Sequence, residues 1–251
     1  MRLHVHEWGD PALPTILCLH GVQGHGARFR RLAEERLADR FHVVAPDLRG
    51  HGRSAWDPPW SIPAHVGDLA ELAGELSPAV VLGHSFGGRL ALELAACEPR
   101  RVPRAILLDP ALQVPRDVAA AYAAEEARRE PFASREAAIA SRAAEATRAP
   151  RAFLEEEMDA HLTGELRFRY APLAAATIFG ELAGGPPAPP LCPTLLVVAE
   201  TTDFTTPEAV ARLEDTVDEL TVVRVSGGHI VLWDAFAATA DAIDAFLSAA
   251  D

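Results

Sequence analysis

A chain of 251 residues, 49% hydrophobic and 24% charged, has the makeup of one soluble globular core, with room for a sizeable insertion. Its formal net charge of −13 opposes nucleic acid and anionic membranes as partners. All 23 basic residues are Arg, and the absence of Lys excludes phosphate-loop NTPase and pyridoxal Schiff-base chemistry. Asn is missing too, and a GC-rich coding bias accounts for both absences. No apolar run reaches the roughly 20 residues of a membrane span, and the opening "MRLHVHEWGD" is charged where a secretory leader is apolar, so a cytoplasmic protein is expected. Cys18, Cys97 and Cys192 lie far apart without a CxxC pair, which predicts buried thiols in a reducing compartment.

In chain order, "LHVHEW" alternates like an edge strand, alone or in a hairpin. His4 and His6 share one face of it, but with no carboxylate at ligand spacing and no HExxH, no metal site is expected. Continuous aliphatic runs follow: "TILCLHG" at Thr15, "HVVAPD" at His42, "AVVLGHS" at Ala79, "RAILLDP" at Arg104, "TLLVVAE" at Thr194 and "LTVVRVSGG" at Leu220. Runs of this kind suit strands covered on both faces, hence a parallel sheet. Helical patterns such as "ARFRRLAEERLADR", "AHVGDLAELAGEL", "GGRLALELAACE" and "PEAVARLEDTVDEL" alternate with them, which predicts a three-layer α/β domain.

The alternation stops between Pro110 and Pro190. Four helical segments rich in Ala, Glu and Arg are expected there: after Pro115, capped by Ser134, after Pro150, and from about Pro172 to Leu182. They form an inserted helical cap, closed by the linker "GGPPAPP". Arg128, Arg129, Arg142, Arg148, Arg151, Arg167 and Arg169 on this segment are read as solvated, with binding of an anionic substrate as the alternative.

Chemistry concentrates at "VVLGHSFGGRLALEL", where Gly83, Ser85 and Gly87 make G-x-S-x-G between a strand and a helix. A nucleophile there occupies a strained turn at the sheet's C-terminal edge, and the N–H of Phe86 opens the helix as an oxyanion donor. A serine hydroxyl needs a base. Of ten histidines, His229 in "VRVSGGHIVLWDAF" is the best placed, in a glycine-led loop after the last strand. His20 belongs to a loop that shapes an oxyanion pocket through the N–H of Val22. The side chain of His84 should diverge from that of Ser85. His25, His51, His65 and His161 are read as satisfied or solvated. Asp203, after the penultimate strand, is the first choice for the acid that orients the base; Asp109, after the strand before the insertion, is the alternative, and Glu200 a substitute if the loop is short.

From about Leu3 to the last helix, "LHGVQGHGARF", "VVAPDLRGHGRS", "GHSFGGRLAL", "PTLLVVAETTD" and "GGHIVLWDAF" resemble the α/β-hydrolase superfamily, in a serine-nucleophile, capped, esterase-like form. The resemblance implies a core over 1–110 and 191–251 and a helical cap over 111–190 after the sixth strand. It makes Ser85 the nucleophile, His229 the base, Asp203 the acid, and Val22 and Phe86 the oxyanion donors, with no cofactor. "DLRGHGRS" is then a structural turn. Two departures stand out: where the family reads G-x-x-D, Ala199 replaces the glycine and Thr202 holds the acid's place, and a serine elbow disfavours dehalogenase or epoxide hydrolase chemistry. The implied reaction is two-step acyl transfer on a small-molecule substrate, an apolar ester. The alternatives are a C–C bond hydrolase, a menaquinone-pathway-like lyase or a cofactor-free perhydrolase on the same triad, and, from another class, a non-catalytic ligand receptor. The oligomeric state is left open.

Overall fold

A computed structural model describes residues 1–146 and 148–249. The aliphatic runs form β2 (Thr15–Leu19), β3 (His42–Pro46), β4 (Val80–His84), β5 (Ala105–Leu108), β6 (Thr194–Ala199) and β7 (Leu220–Val225), joined by β1 (Val5–Trp8) at the start. One sheet holds all seven in the order β1-β3-β2-β4-β5-β6-β7, antiparallel only where β1 meets β3. Every residue of β2 to β6 is buried, which is why these strands are apolar without alternation, whereas β7 at the sheet edge keeps exposed positions.

Helices connect the strands: α1 (Arg30–Leu32), α2 (Ile62–Leu76), α3 (Phe86–Cys97), α4 (Arg116–Ala127), α5 (Arg135–Glu145), α6 (Arg151–His161), α7 (Pro172–Leu182), α8 (Pro207–Thr216), α9 (Val231–Asp234) and α10 (Phe236–Ser248). Among the described residues, no helix is long and apolar enough to cross a membrane. Ser134 caps α5 by accepting from the N–H of Ala137 at 3.1 Å, as its position before the helical pattern predicts.

Four details differ from the expectations. The opening segment is one strand, not a hairpin, so the helical insertion α4–α7 follows the fifth strand rather than the sixth. The expected helix at "ARFRRLAEERLADR" is a 3₁₀ turn at Gly26–Phe29, the single turn α1, and a π turn at Ala33–Leu37. Its Arg31 stacks on both Phe153 and Phe236, at 4.0 and 3.8 Å, and so ties this segment to α6 and α10. Of the thiols, only Cys18 is buried; Cys97 is exposed and Cys192 half-buried.

Register brings the chemistry to one edge. Gly83 and His84 pair with Leu107 and Leu108, Leu108 pairs with Val197, and Ala199 pairs with Val225. The C-terminal ends of β4, β5, β6 and β7 therefore lie side by side, and the loops that leave them carry Ser85, Asp109, Thr202 and His229.

Candidate active site

Ser85 sits between β4 and α3 with φ 54° and ψ −118°, a backbone conformation costly for a residue with a Cβ. Hydrogen bonds hold it there: its N–H donates to Leu108 O at 3.0 Å, and its carbonyl accepts from Gly88 and Ala111, each at 3.0 Å. The flanking glycines are steric necessities. A Cβ on Gly83 would collide with the Gly87 backbone, and one on Gly87 with the carbonyl of Leu19 on β2. Phe86 is the first residue of α3, so its N–H has no acceptor within the helix.

His229 reaches the same site from the loop after β7. Its Nδ1 donates to Asp109 Oδ2 at 2.6 Å, leaving Nε2 as the nitrogen able to take a proton. Two aromatic neighbours fix the ring: Phe204 at 4.3 Å and His84 at 4.9 Å between centroids. His84 also donates from Nε2 to the backbone O of His229 at 3.0 Å, so the side chain next to Ser85 braces the His229 loop as well as diverging from Ser85. Burial, with a contribution from His229, holds His84 neutral by lowering its pKa to about 3. Asp234 accepts from the N–H of Gly228 at 2.8 Å and closes the loop from its far side.

The carboxylate that meets His229 is the alternative of the sequence reading and not its first choice. Asp109, fully buried at the end of β5, is the carboxylate on His229, whereas Asp203 is exposed and makes no hydrogen bond among the described residues. The reason is local. Thr202 occupies the position expected of the acid and donates its hydroxyl to Asp109 Oδ2 at 2.6 Å, while the N–H of Ala199 donates to Oδ1 at 3.0 Å. A carboxylate from β5 thus fills the space that one from the β6 loop would otherwise fill, and the β6 loop supplies donors to it. Asp109 has φ 41°, a second strained position in the site. Glu200 is exposed.

These residues open onto a cavity of about 530 Å³. Gly21, Val22 and Gln23 form one wall and the insertion another, through Tyr122 and Phe179, stacked with centroids 4.9 Å apart, and Leu182. Phe204 and Asp203 come from the β6 loop. The lining is not purely apolar: Arg28, Arg129, Arg142 and Arg148 face Glu125, Glu145, Asp203 and Asp234, so charges of both signs are present in equal number.

Several other histidines are buried and partnered, His20 of the oxyanion loop among them. His20 accepts from Leu48 N–H and donates to Gly21 O at 2.8 Å; His51 meets the carbonyls of Arg49 and Val22; His25 pairs with Glu157 at 2.8 Å. His161 is neither satisfied nor solvated: it is fully buried, stacked on His25 at 4.5 Å, and neither ring nitrogen has a hydrogen-bond partner among the described residues. Arg142 and Arg129 are also not solvated, since Arg142 is fully buried and Arg129 is held by Glu126. Glu157 stays charged in its buried position; burial opposes this, but Arg28 and His25 hold its carboxyl well below the usual range.

His4 and His6 do have a carboxylate near them. Antiparallel pairing of β1 with β3 brings Asp47 in, and one ligand atom from each of the three lies within 4.8 Å of the others. Asp47 is already committed, accepting from His6 Nε2 at 3.2 Å and from the N–H groups of Gly26 and Arg53 at 2.8 Å, which makes it the post of the "DLRGHGRS" turn.

Comparison with known proteins adds to this geometry. A family profile described as "Alpha/beta hydrolase family" matches residues 16–242. Lipase LipV of Mycobacterium tuberculosis is 46% identical over 112 residues, 44% of this chain and 42% of the lipase. The 3-hydroxybutyrate-oligomer hydrolase of Cupriavidus necator is 37% identical over 114 residues, 43% of this chain and 38% of that protein. The matched segment thus spans about two-fifths of each of these two relatives. Among solved structures, E-2-(acetamidomethylene)succinate hydrolase superposes with a TM-score of 0.86 at 26% identity, covering 98% of this chain and 95% of its own.

Proposed function

Because this chain belongs to the alpha/beta hydrolase family, we propose that it is a serine hydrolase that cleaves a small carboxylic ester through a Ser85–His229–Asp109 triad. The observation that carries the reading is the Nδ1 to Asp109 hydrogen bond of 2.6 Å on a histidine that shares a cavity with a strained elbow serine. Asp109 fixes the tautomer in which Nε2 accepts a proton. His229 takes the proton of Ser85 as its Oγ attacks the substrate carbonyl. The N–H groups of Val22 and Phe86 hold the oxyanion, and His229 then protonates the leaving alkoxide. Water, activated by the same imidazole, frees the acyl group. The insertion acts as a cap: Tyr122, Phe179 and Leu182, with Phe204 opposite, receive the apolar part of the substrate, and the charged rim faces its polar end. Free thiols, one of them exposed, support a cytoplasmic setting.

The test is hydrolysis of short-chain p-nitrophenyl esters by the pure protein and its Ser85→Ala variant, with fluorophosphonate labelling as a second readout. Turnover and label should both vanish in the variant while its thermal melt is retained; turnover that survives would overturn the triad. The whole-length likeness to E-2-(acetamidomethylene)succinate hydrolase favours a second substrate class, acylamino carboxylates, which belong in the same panel.

A further inference from the structure

We propose that Arg142, carried by α5 of the insertion, is a positioning residue that sets the oxyanion loop, so that the cap is part of the catalytic apparatus as well as the roof of the pocket. The inference rests on the serine-hydrolase reading above. The loop Gly21–Gln23 crosses directly over the nucleophile: a Cβ on Gly21 would lie 3.1 Å from Ser85 Cβ and 3.4 Å from its Oγ. Within a planar trans peptide the carbonyl of one residue and the N–H of the next point in opposite directions. Holding a carbonyl therefore aims the N–H that follows it.

Three successive carbonyls of this loop are held. Gly21 O accepts from His20 Nδ1 at 2.8 Å and from the Gly24 N–H at 2.9 Å, which directs the N–H of Val22 away from them. Val22 O meets Nε2 of His51. Gln23 O accepts from Arg142 Nη2 at 3.0 Å, and the side-chain Oε1 of Gln23 accepts from Arg142 Nη1 at 2.7 Å. The first two holds come from the core and the third comes only from the insertion. Among the described residues, no acceptor takes the N–H of Val22, which leaves it for substrate.

The environment of Arg142 fits a positioning role better than a stabilising one. Its side chain is fully buried, packed with its guanidinium 3.9 Å over the Phe168 ring, and its Nε, 3.8 Å from Glu157, has no hydrogen-bond partner among the described residues. A buried guanidinium with an unspent donor is a poor way to gain stability. Its best-formed bonds go to Glu145 on its own helix and to Gln23 of the core loop. Glu126 of α4 grips the same residue from the other side, accepting from Gln23 Nε2 at 2.6 Å, and is itself held by the Tyr170 hydroxyl at 2.9 Å. Without Arg142 the Gln23–Gly24 peptide is free to turn, the Gly24 N–H that holds Gly21 O turns with it, and the N–H of Val22 loses one of the two bonds that set its aim, keeping only the one from His20.

The experiment compares the parent protein with Ser85→Ala, Arg142→Met and Arg142→Lys, reading kcat and KM on a short p-nitrophenyl ester and the affinity for an alkylboronic acid. The boronic acid forms a tetrahedral anion on the serine and so reports the oxyanion site. Arg142→Met should lower kcat about 10- to 100-fold, below the full loss of a donor. KM should stay within about threefold, boronate affinity should fall in parallel with kcat, and Arg142→Lys should recover part of both. A folded Arg142→Met with parent kcat and boronate affinity overturns the inference, as does a rise in KM alone, which would make Arg142 a substrate contact. Should Arg142→Met fail to fold, Arg142→Lys carries the test, because an ammonium lacks the planar fork that spans the two Gln23 oxygens and reproduces that grip only in part: a lowered kcat at unchanged KM supports the role and an unchanged kcat overturns it. Ser85→Ala separates the two readings. If it leaves turnover intact, the triad fails and this role with it; if it abolishes turnover while the Arg142 variants keep parent kcat, only the present inference fails.

Discussion

Asp109→Asn is the sharpest probe of the site. In the parent, Oδ2 of Asp109 accepts two hydrogen bonds of 2.6 Å, from His229 Nδ1 and the Thr202 hydroxyl, while Oδ1 accepts from the Ala199 N–H at 3.0 Å. An asparagine keeps the Ala199 bond with its carbonyl oxygen and must then present its NH₂ to His229. Two donors cannot face each other, so the imidazole adopts the other tautomer, with Nδ1 bare and Nε2 protonated. A protonated Nε2 cannot take the proton of Ser85. In a serine protease the same substitution lowers kcat by about 10⁴, which corresponds to roughly 5.4 kcal/mol of barrier at about 1.36 kcal/mol per decade. We expect a loss of that order for Asp109→Asn in steady-state ester hydrolysis. Asp203→Asn alters an exposed carboxylate that makes no hydrogen bond among the described residues and does not touch His229, so its effect on kcat should be far smaller than that of Asp109→Asn. The reverse ranking, with Asp203→Asn the crippled variant and Asp109→Asn near parental, would refute the assignment of the acid.

Thr202→Val removes one donor from a buried, charged acceptor, an interaction of about 1.5 to 3 kcal/mol, and should lower kcat about tenfold or more without unfolding the protein; a parental kcat would show that the hydroxyl plays no part in holding Asp109. Acid should unfold this protein early. Burial depresses His20, His65, His84 and His161, to about 4 for His65 and about 3 for His84, so in this range the unfolded chain binds more protons than the folded one and stability falls as pH drops below about 6.5. At pH 5.5 His65 and His84 each cost on the order of 1 kcal/mol, and His20 and His161 act in the same direction, which is a sizeable part of an ordinary domain's stability. Urea titrations at pH 7.5 and 5.5 measure this, and a difference below about 1 kcal/mol would contradict the neutral, buried state of these rings.

The strained turn at Ser85 was legible because its signal is local: a strand, a glycine on each side of Ser85 and a helix lie within one short stretch, where Gly83 packs on the Gly87 backbone and Gly87 on Leu19. His229 was legible as the histidine of a glycine-led loop after the last strand. The carboxylate that meets it was not, because adjacent strand ends both carried an aspartate and the choice between them depends on where the His229 loop lies over the sheet. The one clue was the spacing, with Thr202 standing where a carboxylate belonged. Arg142, Glu126 and Glu157 were harder still. In sequence they look like other Arg and Glu residues on solvated helices, and only packing of the insertion against Gln23, His25 and Arg28 turns them inward.

The place where the insertion leaves the sheet also bears on how the chain is made. Leu108 and Val197 are hydrogen-bonded neighbours, yet the whole insertion lies between their strands. On the ribosome, at roughly 5 to 20 residues per second, the apolar segment Ala105–Leu108 waits roughly 5 to 20 s for its second partner. During that interval the nascent half-sheet presents an unpaired, sticky border, the sort of surface that chaperones shield. The hydrogen bond between Asp109 and His229 forms after that interval, since His229 lies beyond β6 and β7 in the chain.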